Sequence, residues 1–156
     1  ELAISGSRPA NQEIDNLATT SLQVDSGVLC YGGGAMDPAY PDAALFDSTK
    51  QTWTKVAPML EARNWFGGAR IRWAGKAPAG GDAVYAVGGY CCDRSTGCFS
   101  SPLASVEQYN FTTNTWTEIE AMPMPHGGGS AVAPVASTIV SVGGDGAGDV
   151  LAAKLA

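Results

Sequence analysis

Charge is scarce in this sequence. Asp, Glu, Lys and Arg make up 15% of its 156 residues, against about 25% in an ordinary soluble domain. What charge there is leans acidic: 15 acidic residues against 9 basic ones, for a formal net charge of −6. No Lys or Arg cluster exists, and the densest basic stretch, 63–76, is broken by Trp, Gly and Ala. Neutralising a phosphate backbone needs several convergent cations, so nucleic acid is not an expected partner. Long apolar runs are missing too. The longest uncharged one, 130–142, contains Pro134 and several Ser and Thr, and it falls short of the roughly 20 residues a membrane helix needs. Histidine occurs once, at position 126. A Ser-His-Asp or Cys-His arrangement would depend on that one residue, and no nucleophile elbow accompanies it, so no catalytic residue is assigned. The chain starts at Glu1 with neither an initiator Met nor a signal-like apolar segment; the expectation is a removed leader or a piece of a longer polypeptide.

Uninterrupted helical stretches are also lacking, because 20 Gly and 9 Pro punctuate the chain every few residues. That excludes a long helical bundle. Disorder is excluded by the opposite observation: 45% of residues are apolar, and four Trp, five Tyr and four Phe are present.

What is there is an internal repeat. Val28-Leu29-Cys30-Tyr31-Gly32-Gly33 is echoed by Val84-Tyr85-Ala86-Val87-Gly88-Gly89 and by Ile139-Val140-Ser141-Val142-Gly143-Gly144. The steps are 56 residues from Gly33 to Gly89 and 55 from Gly89 to Gly144. A second pattern follows the first two of these. Phe46 stands seven residues before Trp53 and Tyr109 seven before Trp116, each pair spanning a polar turn (Asp47 to Gln51, Asn110 to Asn114). Met59 and Met122 then lie six residues beyond their Trp, and Arg63 and His126 ten beyond. The short β-branched or aromatic runs stopped by glycine predict buried strands, and the polar segments predict hairpin turns.

An apolar strand ending in Gly-Gly, an aromatic before a polar turn, a Trp and a Met-containing exit together resemble the kelch repeat family, over about residues 17–156. The resemblance implies an all-β fold: a kelch-type β-propeller fragment of about three four-stranded antiparallel blades, the third incomplete. The expected strands are 18–24, 28–32, 43–46 and 53–56 in blade one, 66–73, 83–88, 105–109 and 116–119 in blade two, and 130–135, 138–142 and 150–154 in blade three. The expected organisation is an N-terminal arm (1–16) that can complete another blade, then blades at 17–60, 61–125 and 126–156. The diglycines are expected where inner strands crowd round the propeller axis. Three blades do not close a ring. The chain is therefore read as a fragment or subunit of a larger propeller, as one that self-associates or joins another chain to complete it, or as an open stack.

In antiparallel blades the loops after the second and fourth strands emerge on one face. Here they are 34–42, 90–104, 58–65 and 122–128, and long loops on a rigid scaffold carry function. The candidate binding residues on that face are Asp37, Tyr40, Asp42, Arg63, Tyr90, Asp93, Arg94, His126 and Asp145, expected to be exposed and to meet a protein or glycan partner. The aspartates do not converge at a calcium spacing, and Cys-Cys-x5-Cys is no zinc pattern. No metal and no cofactor are assigned. Cys91 or Cys92 with Cys98 would close a loop read as having no secondary structure of its own, and a disulfide there is expected. Asn110-Phe111-Thr112 is a glycosylation sequon on the outer turn of blade two. Together these favour a secreted or lumenal protein over a cytoplasmic one. The reading is a non-catalytic binding or structural module. The alternative is part of a kelch-type enzyme such as a galactose-oxidase-like copper-radical oxidase, whose resemblance-implied site needs two His where this chain has one.

Overall fold

The computed structural model describes residues 20–25, 27–34, 38–72, 82–93, 98–128, 131–135, 138–144 and 150–154, with the backbone alone at 92–93, 98–100, 131 and 150–154. These residues form strands and no helix. In chain order the strands are β1 (Thr20–Val24), β2 (Gly27–Tyr31), β3 (Ala43–Asp47), β4 (Thr52–Val56), β5 (Gly67–Ile71), β6 (Ala83–Val87), β7 (Tyr90–Asp93), β8 (Cys98–Pro102), β9 (Val106–Asn110), β10 (Thr115–Ile119), β11 (Ala131–Val135), β12 (Thr138–Val142) and β13 (Val150–Lys154). They pair antiparallel into two four-stranded sheets, β1-β2-β3-β4 and β5-β6-β9-β10, and a three-stranded sheet, β11-β12-β13. This is the all-β, blade-by-blade architecture that the repeat predicts.

The segment 90–104 departs from the expectation of a bare loop. It folds into a separate two-stranded sheet, β7-β8, with a bulge between Cys91 and Cys92. Tyr, Cys and Phe are compatible with strands, and pairing satisfies backbone groups that an irregular loop of this length would leave to water.

Burial follows the two-residue period of each strand. Val84 and Ala86 of β6 turn toward the first sheet and pack with Leu29, Tyr31, Phe66, Tyr109 and Trp116. Ala83, Tyr85 and Val87 turn the other way and pack with Val106, Met122 and Ile139. All five positions of β6 are buried, as expected of a strand in the middle blade with both faces covered. Polar side-chain tips cross between the first two sheets. Tyr31 Oη donates to Tyr85 O at 3.0 Å, and Trp116 Nε1 donates to Ala57 O at 2.9 Å. Burial pushes the Tyr31 phenol well above its ordinary value, so it stays a donor. The first strands of the three sheets lie side by side, β5 touching both β1 and β11. Arg70 ties β5 to β1, with Nη1 donating to Gln23 O at 3.1 Å and Nη2 to Asp25 at 2.8 Å.

The outer hairpin turns repeat atom for atom. Asp47 Oδ1 accepts from the amides of Thr49 and Lys50 at 2.9 and 3.0 Å. Asn110 Oδ1 accepts from Thr112 and Thr113 at 2.8 and 3.2 Å. Gln51 and Asn114 close the two turns with φ of 56° and 53°. Only one of the two caps titrates. The Lys50 amide, and then its ammonium, hold the Asp47 carboxyl below its ordinary 3.8. A depressed folded-state pKa gives support that is present above the unfolded value and lost as pH falls through the folded one. Amide exchange between about pH 5 and pH 2 should therefore show Thr49 and Lys50 losing protection while Thr112 and Thr113 keep theirs; parallel loss at both turns would contradict this.

The first two diglycines are crowded against the exit segments that follow β4 and β10. Gly32 and Gly88 have φ of 63° and 61°, Gly33 and Gly89 110° and 90°, values that favour glycine. Gly32 N donates to Asp42 O at 2.9 Å and Gly33 N to Arg63 O at 3.0 Å; Gly88 N donates to Ser105 O at 3.1 Å and Gly89 N to His126 O at 2.8 Å. Each of these two diglycines thus hydrogen-bonds both the entry to the third strand of its sheet and the exit from the fourth.

Candidate functional site

Those paired bonds bring the loops of one face together. Met59 N donates to Pro41 O and Met122 N to Ala104 O, at 2.8 and 2.9 Å, so each exit segment is stitched to the approach to the third strand.

Arg63, expected to be exposed, is fully buried. Its guanidinium reaches from the exit of the first sheet into the second. Nη1 donates to Gly88 O at 2.9 Å and Ser105 O at 3.1 Å. Nη2 donates to Ser105 Oγ at 3.0 Å and Glu107 Oε1 at 2.7 Å, with Glu61 Oε2 at 3.4 Å. Glu107, 1% exposed, also accepts from the amides of Leu60 and Glu61 at 2.7 and 3.1 Å. The reason for burial is geometric. The left-handed diglycine leaves carbonyls outside the ladder, and the rigid five-donor fork of arginine satisfies several at once. Arg63 is a clamp between blades rather than the exposed side chain its loop position suggests.

His126 holds the equivalent place one repeat on and is buried as well, at 3% exposure. Its backbone carries the repeat's bonds, with N donating to Leu103 O at 3.0 Å. Its Nδ1 lies 3.3 Å from Ser141 Oγ in β12, and Nε2 has no hydrogen-bond partner among the described residues.

The other expected residues fall as follows. Tyr40 is half-buried and its amide donates to Gly33 O at 2.9 Å. Asp42 is half-buried and pairs with Lys55 at 2.8 Å. Tyr90 opens β7 and is bridged to Asn64 by reciprocal backbone bonds of 3.0 and 2.9 Å. Tyr90 also lies so close to Gly127 that a β-carbon there would strike the phenol ring. The hairpin is thus held to both exit segments, and Cys91 within it is disulfide-bonded. Asp37, Arg94 and Asp145 lie outside the described residues, as do the side chains of Asp93, Cys92 and Cys98. Among the described residues no group of three or more His, Cys, Asp or Glu is placed to hold a metal.

The structure adds residues that sequence reasoning passed over. Trp65 has φ of 48°, is 40% exposed and meets Tyr90 edge-on, with ring centroids 6.1 Å apart. Leu60, 64% exposed, lines an open groove of ≈ 440 Å³ with Glu61, Arg63, Ser105, Glu107 and Glu118. A signal for Trp65 existed: it is a Trp standing outside the repeat position that Trp53 and Trp116 fill.

Comparison with known proteins points one way. Residues 76–123 match a family model described as the Kelch motif. The chain is 28% identical over 118 residues to an F-box/kelch-repeat protein of Arabidopsis thaliana, covering 76% of this chain and 22% of that protein. It is 36% identical over 106 residues to Kelch-like protein 35 of Mus musculus, covering 67% and 15%. It is 32% identical over 131 residues to Kelch-like protein 34 of Homo sapiens, covering 79% and 18%. The chain therefore spans about a fifth of the length of these curated relatives, or less.

Proposed function

This chain belongs to the kelch-repeat family, and from that premise we propose that it is a non-catalytic protein-interaction module working through the face where its loops and exit segments meet. The observation that carries the reading is the Trp65–Tyr90 pair: an exposed indole in a strained conformation, set on a hairpin that is itself held to two exit segments. Rigidly presented aromatics are the side chains that dominate protein interfaces. None of the similarities favours the copper-radical alternative. The test is to select binders from a displayed library of natural protein domains and compare variants. Trp65→Gly and Tyr40→Ala should each weaken the selected complexes, while Lys50→Ala on an outer turn should not. Binders indifferent to the first two would overturn the reading.

The propeller is proposed to be completed by further blades. Val140 and Val142 of β12 occupy the register positions of Leu29 and Tyr31 in β2 and of Tyr85 and Val87 in β6. Those four side chains are 0–2% exposed, whereas Val142 is 43% exposed, and Val135, paired with Thr138 at the other end of the same two strands, is 58% exposed. That face repeats a blade-to-blade interface without its cover. Light scattering distinguishes how it is covered. A stable monodisperse monomer excludes completion by a second copy, and a dimer or larger assembly excludes completion within one chain.

The bonded state of Cys91 supports an oxidising compartment, secreted or lumenal. Thiol titration of denatured protein prepared without reductant should find two of the four cysteines reactive; four reactive thiols would overturn this.

A further inference from the structure

Three non-glycine residues among those described have φ in the left-handed region: Gln51, Trp65 and Asn114. Gln51 and Asn114 are polar residues closing hairpin turns, the setting in which such a φ is ordinary. Trp65 is neither in a hairpin turn nor buried. A bulky side chain kept in a strained conformation without the reward of burial points to use of the side chain itself. Its surroundings agree. Of the five large apolar side chains exposed among the described residues, Leu60, Trp65 and Met124 lie on the two exit segments.

The chemistry beside this apolar surface is acidic. The groove lined by Leu60 also holds Glu61, Glu107 and Glu118 against the single guanidinium of Arg63, a formal excess of two negative charges. Glu107 and Glu118 are direct cross-strand partners in β9 and β10, an arrangement of like charges that works against the sheet. Arg63 is committed to Glu107, to Glu61 and to backbone carbonyls. A cation from outside would relieve the repulsion, and the groove has room for one long basic side chain. The exposed indole favours the same charge, since the face of a Trp ring attracts guanidinium and ammonium groups. Leu60 and Trp65 stand on one segment whose five residue steps span at most about 18 Å, within reach of one short peptide.

We propose that this face takes a basic protein segment: an Arg or Lys enters the groove between Glu61 and Glu118, and adjoining apolar side chains lie on Leu60 and the Trp65–Tyr90 step. The proposal rests on the protein-interaction reading and names the chemistry of the partner. Its test is fluorescence anisotropy of the full chain with two labelled peptide pools of equal length and apolar content, one bearing Arg and Lys at randomised positions, the other Asp and Glu. The basic pool should half-saturate at a concentration at least about tenfold lower, and raising salt from about 0.05 to 0.5 M should weaken it severalfold. The double variant Glu61→Gln, Glu118→Gln should lose about tenfold or more. Trp65→Gly, which relieves the backbone strain and so keeps the fold, should lose a similar factor. Lys50→Ala should bind as the parent does. An equal or acidic preference, an unaffected Trp65→Gly variant, or binding to an oligosaccharide array in place of either pool would overturn the proposal. If neither pool binds while displayed domains are captured in a Tyr40-dependent manner, the partner chemistry is wrong and the interaction module stands. If no displayed domain is captured either, both readings fall.

Discussion

Replacing Glu107 with alanine is expected to cost about 3–5 kcal/mol of folding stability, as removing one partner of a buried ion pair does. Arg63 would be left charged and fully buried, with its 2.7 Å bond to the carboxylate gone. The amides of Leu60 and Glu61 would lose their acceptors at the same time, and a buried donor left unsatisfied carries its full desolvation penalty. A typical domain has only about 5–15 kcal/mol to lose, so the variant should approach the threshold of folding. Glu107→Gln keeps an acceptor oxygen and should lose less. The pair Arg63→Met with Glu107→Leu removes both charges and should recover much of the loss, because an ion pair replaced by well-packed apolar groups is often neutral or better. Glu118→Gln removes like-charge repulsion across β9 and β10 and should be neutral or slightly stabilising. Urea unfolding of these four variants reads the order directly. A Glu107→Ala loss under about 1 kcal/mol would mean that the clamp is not what holds the first two blades together.

The diglycine offers an internal control for the second large effect. Gly88 and Gly143 hold the same place in successive repeats, with φ of 61° and 78°. A β-carbon at Gly88 would lie 2.6 Å from His126 O, 3.0 Å from Met122 Cε and 3.3 Å from Leu103 O. At Gly143 no atom of the described residues lies within 4 Å of that position. Gly143→Ala should therefore carry only the left-handed penalty, about 1–2 kcal/mol. Gly88→Ala carries that penalty and a collision with backbone, for about 3 kcal/mol or more. At roughly 2–4 °C per kcal/mol for a domain of this size, thermal melts should separate the two clearly. Equal losses would show that glycine is needed at Gly88 for its dihedral alone.

The repeat made most of the fold readable. Ala83 to Val87 is a continuous apolar run because both faces of β6 are covered, and the steps between diglycines fixed which strands play equivalent parts. The site was less readable, for reasons visible in particular residues. Arg63 and His126 sit in segments that connect strands at the loop face, which argues for exposure. Whether such a side chain turns out to solvent or in toward the next blade depends on acceptors there, and Gly88 O and Ser105 O are set by the diglycine of another repeat. Glu107 left a trace: it stands where the first sheet has Ala44, a charged residue at a buried register position. The β7-β8 hairpin was hidden because its cysteines suggest a crosslinked loop as readily as a strand pair. Trp65 was visible only as a Trp outside the repeat position; its conformation lies in a backbone angle, which no sequence pattern of apolar residues displays.

The proposed binding of protein through the loop and exit face is open to one direct measurement. Hydrogen–deuterium exchange on the complex with a display-selected natural domain tests it most directly. Protection of 58–66 together with Tyr90 and Cys91 is expected, with the outer turns 47–52 and 110–115 unchanged. Protection confined to those outer turns, with 58–66 exchanging as in the free chain, would contradict it.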